Sequence, residues 1–443
     1  MADPQKRANS LYVTGRLPVL VALGAVPVVL LSAAGADAWV TAGGWAALCI
    51  LLTLADAAAA PDPRALTVER KVPRRVLLGQ SAVAEVRLRN TGRRTLRGRL
   101  RDAWQPTAGA PGARSTIDIP PGEARTAAIP LLPRRRGELT SRFVVVRSDG
   151  PLRIAGRQLR IDAAGAIRVL PPFTARRHLP SRLARLRELD GNTSVQVRGQ
   201  GTEFDSLREY VRGDDVRSID WRATARSSTT MLRTWRPERD RHVVIVIDTG
   251  RTAAARVGDG VRMDAAMEAA LLLAALATRA GDHTHLLMFD RVVRARVTRV
   301  DGPALLPALV DAMAPVEPQL IDTDWDAAFA QVRALTSRPS LVVLLTAQDA
   351  VEAARGFLGS LPGLTRRAHV LVGTVTEEHT PTPGRPDAAD VYRAAAAERA
   401  VREAAIVTAA MGRAGAEAIA ADPESLPPRI ADRYLALKAA GRL

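Results

Sequence analysis

Two stretches of the chain, residues 17–34 and 38–55, contain no charged side chain, and each is 18 residues long. At a rise of about 1.5 Å per helical residue, such a run is close to the shortest that crosses about 30 Å of hydrocarbon. Between them lies Gly35-Ala36-Asp37, a short polar connection suited to a helical hairpin. Trp39 follows at once, where an amphipathic ring would meet a membrane interface. Lys6, Arg7 and Arg16 flank the entry, and Arg64, Arg70 and Lys71 follow the exit, while the connection holds only Asp37. The positive-inside bias then predicts a two-pass cell-membrane protein with both ends cytoplasmic. A secretory signal is the competing reading, with 17–31 as its apolar core and Ala34-Gly35-Ala36 as a small-residue cleavage site. The second apolar run directly behind the first favours the hairpin.

Charge sets the next constraint. The net charge of +17 is concentrated in residues 64–160, where 22 basic face 7 acidic side chains, and residues 242–443 are nearly neutral at −2. A basic stretch directly behind an apolar one suits anionic lipid, at about 1 kcal/mol per basic group near the surface. Nucleic acid is the other anionic partner open to it. Aromatics make up only 4% of the chain, which argues against base stacking and so against nucleic acid. Cys49 is the single cysteine, so the chain has no internal disulfide framework, CxxC motif or cysteine-rich zinc site. Of six histidines only His283 and His285 stand close in sequence, on one face if they lie in a strand. They read as ordinary strand residues unless a third ligand lies nearby.

The pattern divides the chain into a cytoplasmic tail (1–16), a transmembrane helical hairpin (17–60), a small β-sandwich (61–172), a connector (173–241) and an α/β domain (242–443). In the middle region, strands are expected at 66–72, 82–89, 95–101, 125–130, 141–147 and 167–170, separated by Gly-, Pro- and Asn-rich turns. From 243 onward, β-branched apolar runs at 243–247, 341–345 and 369–375 alternate with helical patterns at 264–280, 305–313, 324–335 and 388–411. Such alternation predicts a doubly wound sheet. Ligands on these sheets bind beyond the carboxyl ends of the strands.

The connector carries the most distinctive segment, GQGTEFDSLREYVRGDDVRSIDWRATAR at 199–226. Phe204, Leu207 and Val211 are spaced for one face of a short helix, and Ile219, Trp221 and Ala225 for the buried side of further helical turns. Asp214, Asp215 and Asp220 lie within reach of Arg208, Arg212, Arg217, Arg222 and Arg226. Two roles compete: an ion-pair network pinning the connector onto the next domain, or an active site. Arginine neighbours lower a carboxyl pKa, the opposite of what a general acid needs, which favours structure or docking. Gly199-Gln200-Gly201 is half of a nucleotide-binding glycine pattern, without the flanking strand and helix that would give it meaning.

This run, followed by a strand ending in Asp248, closely resembles the hallmark of the domain-of-unknown-function-58 family. The resemblance implies a von Willebrand factor A-like α/β domain, and a partner among MoxR-type AAA+ ATPases. The residues of this signature segment that the resemblance singles out are Glu203, Arg208, Tyr210, Asp214, Asp215, Arg217, Asp220, Trp221 and Arg226. It also implies a metal-adhesion motif, Asp-x-Ser-x-Ser, at the end of the first strand. Here that strand ends Asp248-Thr249-Gly250-Arg251-Thr252. Asp248 and Thr252 match, Gly250 lacks the first hydroxyl, and Thr323 stands where a threonine ligand is expected. Ala347 replaces the usual later aspartate, with Asp349 two residues on. Mg²⁺, a hard cation wanting oxygen ligands, would be held by Asp248, Thr252 and Thr323 in a degenerate form of the site.

Together these features predict a membrane-anchored scaffold or adaptor, not an enzyme, whose upper loops around Asp248, Gly250, Thr252, Thr323 and Ala347 meet a protein partner. A hydrolase at the Asp/Arg segment remains the alternative, and would require a deep pocket there.

Overall fold

The computed structural model describes residues 10–110, 114–196, 203–212, 214–236, 241–258, 260–336, 338–376 and 388–443. Gly199-Gln200-Gly201 and Gly213 lie outside the described residues. The chain forms two compact units, Met1–Leu170 and Pro171–Leu443. The first therefore joins the apolar hairpin to the β region, and the connector belongs with the α/β domain.

In the first unit the chain enters through β1 (Ser10–Val13), then α1 (Arg16–Leu23), α2 (Ala25–Ala33) and α3 (Ala38–Ala59). The expected tail at 1–16 is thus partly a strand, paired antiparallel with residues Ala155–Gln158. The first apolar run is two helices meeting at Gly24, because Pro27 has no N–H to continue the ladder. Asp37 caps α3, accepting from the N–H groups of Trp39 and Val40 at 2.8 and 3.0 Å. By length and composition, both stretches are long and apolar enough to cross a membrane. Their side chains face outward; Val29, Leu30, Ile50 and Leu51 are all exposed. A helix in the core of a water-soluble protein would bury that surface.

Beyond the helices lie β2 (Leu66–Lys71), β3 (Arg75–Leu77), β4 (Ala82–Asn90), β5 (Leu96–Trp104), β6 (Arg114–Ile119), β7 (Ala124–Leu131), β8 (Gly137–Asp149) and β9 (Ala155–Leu170). One sheet runs β1-β9-β8-β5-β6 with β3 beside β9; the other runs β2-β4-β7. They form a β-sandwich-like pair over a shared core that includes Val86, Leu88, Leu100, Ile119, Val146 and Ile167. Strict alternation along β4 places Ala84, Val86 and Leu88 inside and Glu85, Arg87 and Arg89 outside. Inside the sandwich, Arg70 of β2 grips Asp102 of β5 through two bonds of 2.7 and 2.9 Å, and Ser141 adds a third at 2.8 Å. Only 167–170 of β9 was legible as strand, since the small residues Ala163-Ala164-Gly165-Ala166 interrupt the alternation that Leu159 and Ile161 begin.

A buried carboxylate ties the helices to this sandwich. Asp56, near the end of α3, is 2% exposed. It accepts from the backbone N–H groups of Leu152, Ile154 and Ala155 at 2.7, 2.8 and 2.9 Å. Arg157 donates to the last carbonyls of α3, Ala57 and Ala58, at 3.1 and 3.0 Å. Gly150 makes the approach possible: a Cβ there would lie 2.3 Å from Asp56 Oδ1.

The second unit opens with α4 (Leu179–Gln196), the hairpin β10 (Glu203–Glu209) and β11 (Met231–Arg236), and α5 (Trp221–Thr224) between its strands. Then follow β12 (His242–Asp248), the short pair β13 (Arg256–Val257) and β14 (Gly260–Val261), α6 (Arg262–Arg279), β15 (His283–Phe289), β16 (Val293–Val297), α7 (Leu305–Met313) and α8 (Trp325–Leu335). β17 (Pro339–Leu345), α9 (Arg355–Thr365), β18 (His369–Val375), α10 (Ala388–Arg413), β19 (Glu417–Ala421) and α11 (Leu426–Ala439) complete it. The sheet order is β16-β15-β12-β17-β18-β19. All its pairs are parallel except β15·β16. Alternate residues of β12 feed two cores: Val243, Ile245 and Ile247 pack with α6 and α11, and Val244 and Val246 with Trp325, Phe329 and Phe357. This is the doubly wound arrangement that continuous apolar strands require.

Replacing Asp56 with alanine leaves two buried N–H groups and one half-buried one without their acceptor, and should destabilise the first unit by on the order of 3 kcal/mol. Thermal unfolding in detergent would show this, with proteolysis beginning in the 150–157 turn. Asp56→Asn, which keeps one acceptor oxygen, should lose less.

Candidate functional site

Strand order reverses at β12, whose neighbours β15 and β17 lead away in opposite directions, so the carboxyl end of β12 is the switch point where such sheets open a crevice. Asp248 is its last residue. Oδ1 accepts from the Gly250 N–H at 2.8 Å and the Thr323 hydroxyl at 2.5 Å. Oδ2 accepts from the Thr252 hydroxyl at 3.2 Å and the Thr346 hydroxyl at 2.6 Å. One charge therefore holds the loops at 249–252, 319–323 and 346–349. Backbone bonds reinforce it: Arg251 N to Ile321 O at 2.9 Å, and Gln319 N to Thr249 O at 2.7 Å.

The structure unites Asp248, Gly250, Thr252 and Thr323 as the sequence suggests, but in a different role. Asp248, Gly250 and Ala347 are buried, so a partner does not touch them. Ala347 contributes no oxygen, and the hydroxyl beside it, Thr346, is the one that sequence reasoning missed. It sits one residue past the end of β17, a position findable by its place at a strand terminus. Gln348 Nε2 donates to that same hydroxyl at 3.0 Å. Asp349, the potential substitute ligand, turns away to Arg262 at 2.8 Å. Gly250 is glycine for a steric reason: a Cβ there would lie 2.4 Å from Thr323 Oγ1 and 3.1 Å from Asp248 Oδ1. The missing hydroxyl is what lets Thr323 bond directly to the carboxylate.

These residues do not fit Mg²⁺. The ion demands near-octahedral oxygen ligands and keeps several waters. Here each carboxylate oxygen already takes two donors, and Asp248 is 3% exposed. The cavity beside it measures about 10 Å³, room for a single water.

A second carboxylate, unforeseen in the sequence, lies one strand away. Asp290, directly after β15, is fully buried. It accepts from Arg294 Nε at 2.6 Å, Thr249 Oγ1 at 3.0 Å, and the N–H groups of Arg291 and Val292 at 2.5 and 3.1 Å. Its own carbonyl accepts from Asp324 N at 2.8 Å, at the cap of α8. Burial pushes its carboxyl up, but Arg294 and these donors together outweigh burial and hold it below the usual carboxylate range.

The 199–226 segment departs from its expected helical form. Residues 203–209 are strand β10, paired antiparallel with β11, with a bulge between Phe204 and Ser206. The bulge accounts for the irregular apolar spacing that resembles a helix. Of Glu203 only the backbone is described. Trp221 is 70% exposed rather than buried. Asp214 pairs with Arg208 at 2.7 Å, and Asp220 pairs with Arg233 at 2.7 Å, a partner outside the expected set. Asp215 caps the turn at Val216–Ser218 through Arg217 N, and Asp220 caps α5. The Ala223 N–H and then Arg233 lower the Asp220 carboxyl. These pairs close within the hairpin and do not reach the sheet. Tyr210 donates its N–H to Thr230 O at 2.8 Å, and Arg226 its N–H to Ala223 O at 3.0 Å, both tightening the hairpin.

At the opposite end of the sheet the register brings a third imidazole to His283 and His285. His242 stacks on both, with centroids 5.3 and 5.2 Å away, and its Nδ1 lies 2.9 Å from His285 Nε2. Stacked rings send their lone pairs along parallel planes, so they do not converge on one ion. Burial first, then His242 and His283, lower the His285 pKa. An open groove of about 580 Å³ elsewhere, between β19 and α11, is lined by Arg185, Arg429, Asp432 and Arg433 and includes none of the 203–236 hairpin.

The fold and site define a doubly wound α/β domain whose strand tips are locked by hydrogen-bonded carboxylates. The family model described as protein of unknown function DUF58 matches residues 206–410 of the chain. No curated protein matches it. Among solved structures, it is similar to the CARDB domain of a Pyrococcus furiosus protein (19% identity, 22% of this chain and 86% of that one, TM-score 0.16). A β-glucosidase from Listeria innocua (15%, 24% and 16%, TM-score 0.18) and a FixG-related protein from Vibrio parahaemolyticus (14%, 25% and 98%, TM-score 0.19) are also similar. Likenesses at these TM-scores carry no argument about the site.

Gly250→Ser should cost about 1–3 kcal/mol by overpacking against Thr323. Adding Thr323→Ala should recover part of that loss in thermal unfolding, since the two positions share one space. Because the Asp290 carboxyl titrates below its unfolded value of about 3.9, its stabilisation is complete above that pH and is lost as pH falls through the folded value. Denaturant titrations across the acid range should show wild-type stability rising with pH there, and a shallower rise in Asp290→Asn.

Proposed function

We propose that this protein is a membrane-anchored adaptor rather than an enzyme, with its α/β unit a von Willebrand factor A-like recognition domain. Numbered from β12, the sheet order is 3-2-1-4-5-6 with the third strand antiparallel, which supports that reading. The two apolar helices support the anchor, and the flanking basic residues favour a cytoplasmic side for both units.

The observation that carries the recognition role is Leu320. It is 83% exposed, yet the backbones on both sides of it are pinned, Gln319 to Thr249 and Ile321 to Arg251. A large apolar side chain held rigidly in solvent loses little freedom on binding, which is the character of an interface anchor. Val292, also exposed, follows the Asp290 turn. Arg251 paired with Asp322 at 2.7 Å gives a charged rim. The buried carboxylates act beneath this surface, shaping it without contacting the partner. The family resemblance nominates a MoxR-type AAA+ ATPase as that partner.

A photo-crosslinker at position 320 in intact membranes should capture an AAA+ ATPase, and Leu320→Asp should abolish co-purification while leaving the unfolding temperature unchanged. Capture of no protein from position 320, with a folded chain, contradicts the reading.

A further inference from the structure

The foot of the β-sandwich is built at the same level as the ends of the apolar helices, and three segments fix it there. The β8–β9 turn hangs from both helices: Leu152 N bonds Asp56 near the end of α3, and Leu152 O accepts from Arg16 Nη1 at 3.4 Å, at the start of α1. The Thr14 hydroxyl donates to Arg153 O at 2.6 Å, and Thr14 N to Ile154 O at 2.8 Å. Ser148 Oγ reaches Pro61 O at 2.5 Å, just past α3. Arg153 itself holds φ at 57°, a left-handed conformation unusual for a residue with a side chain, so the turn is sharply constrained.

What this clamp leaves outside is the notable feature. Leu152 is 50% exposed at the tip of the turn, and Leu11 and Val13 on the edge strand β1 are 64% and 59% exposed. Tyr12 between them turns the other way, with its hydroxyl on Asp149. Arg16 and Arg153 stand exposed beside Leu152. Apolar side chains flanked by arginines, continuous with two apolar helices, match the boundary between acyl chains and headgroups.

We propose that the β8–β9 turn is a third membrane contact: Leu152 inserts shallowly into the leaflet that the helix ends reach, and Arg16 and Arg153 bind the phosphates of anionic lipids. The partner surface is the bilayer itself. The contact would hold the sandwich in one orientation rather than on a loose tether. This rests on the membrane anchoring proposed above and adds to it a specific lipid-binding edge.

The test uses the whole chain with Cys49→Ser, carrying a single environment-sensitive dye at Leu152→Cys, Leu48→Cys in the middle of α3, or Gln80→Cys at the far end of the sandwich. Reconstitution is into phosphatidylcholine vesicles with or without phosphatidylglycerol, containing nitroxide-labelled lipids. The expected result is a blue-shifted dye at 152 that loses most of its fluorescence to headgroup-level nitroxides, more so with phosphatidylglycerol. The dye at 80 should stay unquenched, and Arg16→Gln with Arg153→Gln should remove the phosphatidylglycerol dependence. A dye at 152 that behaves like that at 80, while 48 is quenched by deep nitroxides, overturns the third contact and leaves the anchor standing. Equal quenching at 152 with and without phosphatidylglycerol overturns the headgroup role. No quenching at 48 overturns the anchor, and the contact with it.

Discussion

One carboxylate, Asp248, organises the working end of the α/β unit. It accepts four hydrogen bonds, from Gly250, Thr252, Thr323 and Thr346, which belong to three separate loops. A buried charge is costly unless donors replace its water, and here they do so completely. The converse also holds: the three loops have a defined arrangement because the charge must be satisfied. Surface residues such as Leu320 inherit their positions from a group that no partner sees.

The same device recurs. Asp290 gathers Thr249, Arg294 and two backbone N–H groups around its own loop, and it shares Thr249 with the Asp248 segment. Asp56 gathers three backbone N–H groups from the β8–β9 turn. Asp102 joins the two sheets of the sandwich through Arg70. In a chain with few aromatic anchors, buried acids set the loop geometry that large rings set elsewhere. Asp214 and Asp220 are paired within their hairpin, and the Ala223 N–H and Arg233 hold the Asp220 carboxyl below the usual carboxylate range. An ionised, arginine-bound carboxylate is suited to holding structure and unsuited to giving up a proton.

Much of the architecture was legible from periodicity. The apolar runs of β12, β17 and β18 and the alternation of β4 carry their burial in their composition, because each strand face has one environment. Three features were hidden for identifiable reasons. β10 imitates a helix because its bulge breaks the two-residue period. In β9 the small residues 163–166 break the apolar alternation in mid-strand, and β1 is too short to show one. At the site, Asp248, Thr252 and Thr323 were singled out by the metal-adhesion motif that the family resemblance implies, not by local patterning. Thr346, Asp290 and the His242 contact depend on strand register, which brings residues 41 to 98 positions apart together and leaves no local trace. Gly250 was visible as a departure from the metal-binding pattern. Its cause, the space taken by Thr323, required the fold.

The central claim is that Asp248 binds the three loops into one unit, and amide hydrogen exchange of the wild type against Asp248→Ala tests it most directly. The account predicts that protection at 249–252, 319–323 and 346–349 falls together in the variant while the strands of the sheet keep theirs. Loops that exchange independently of one another, or remain protected without the carboxylate, would contradict it.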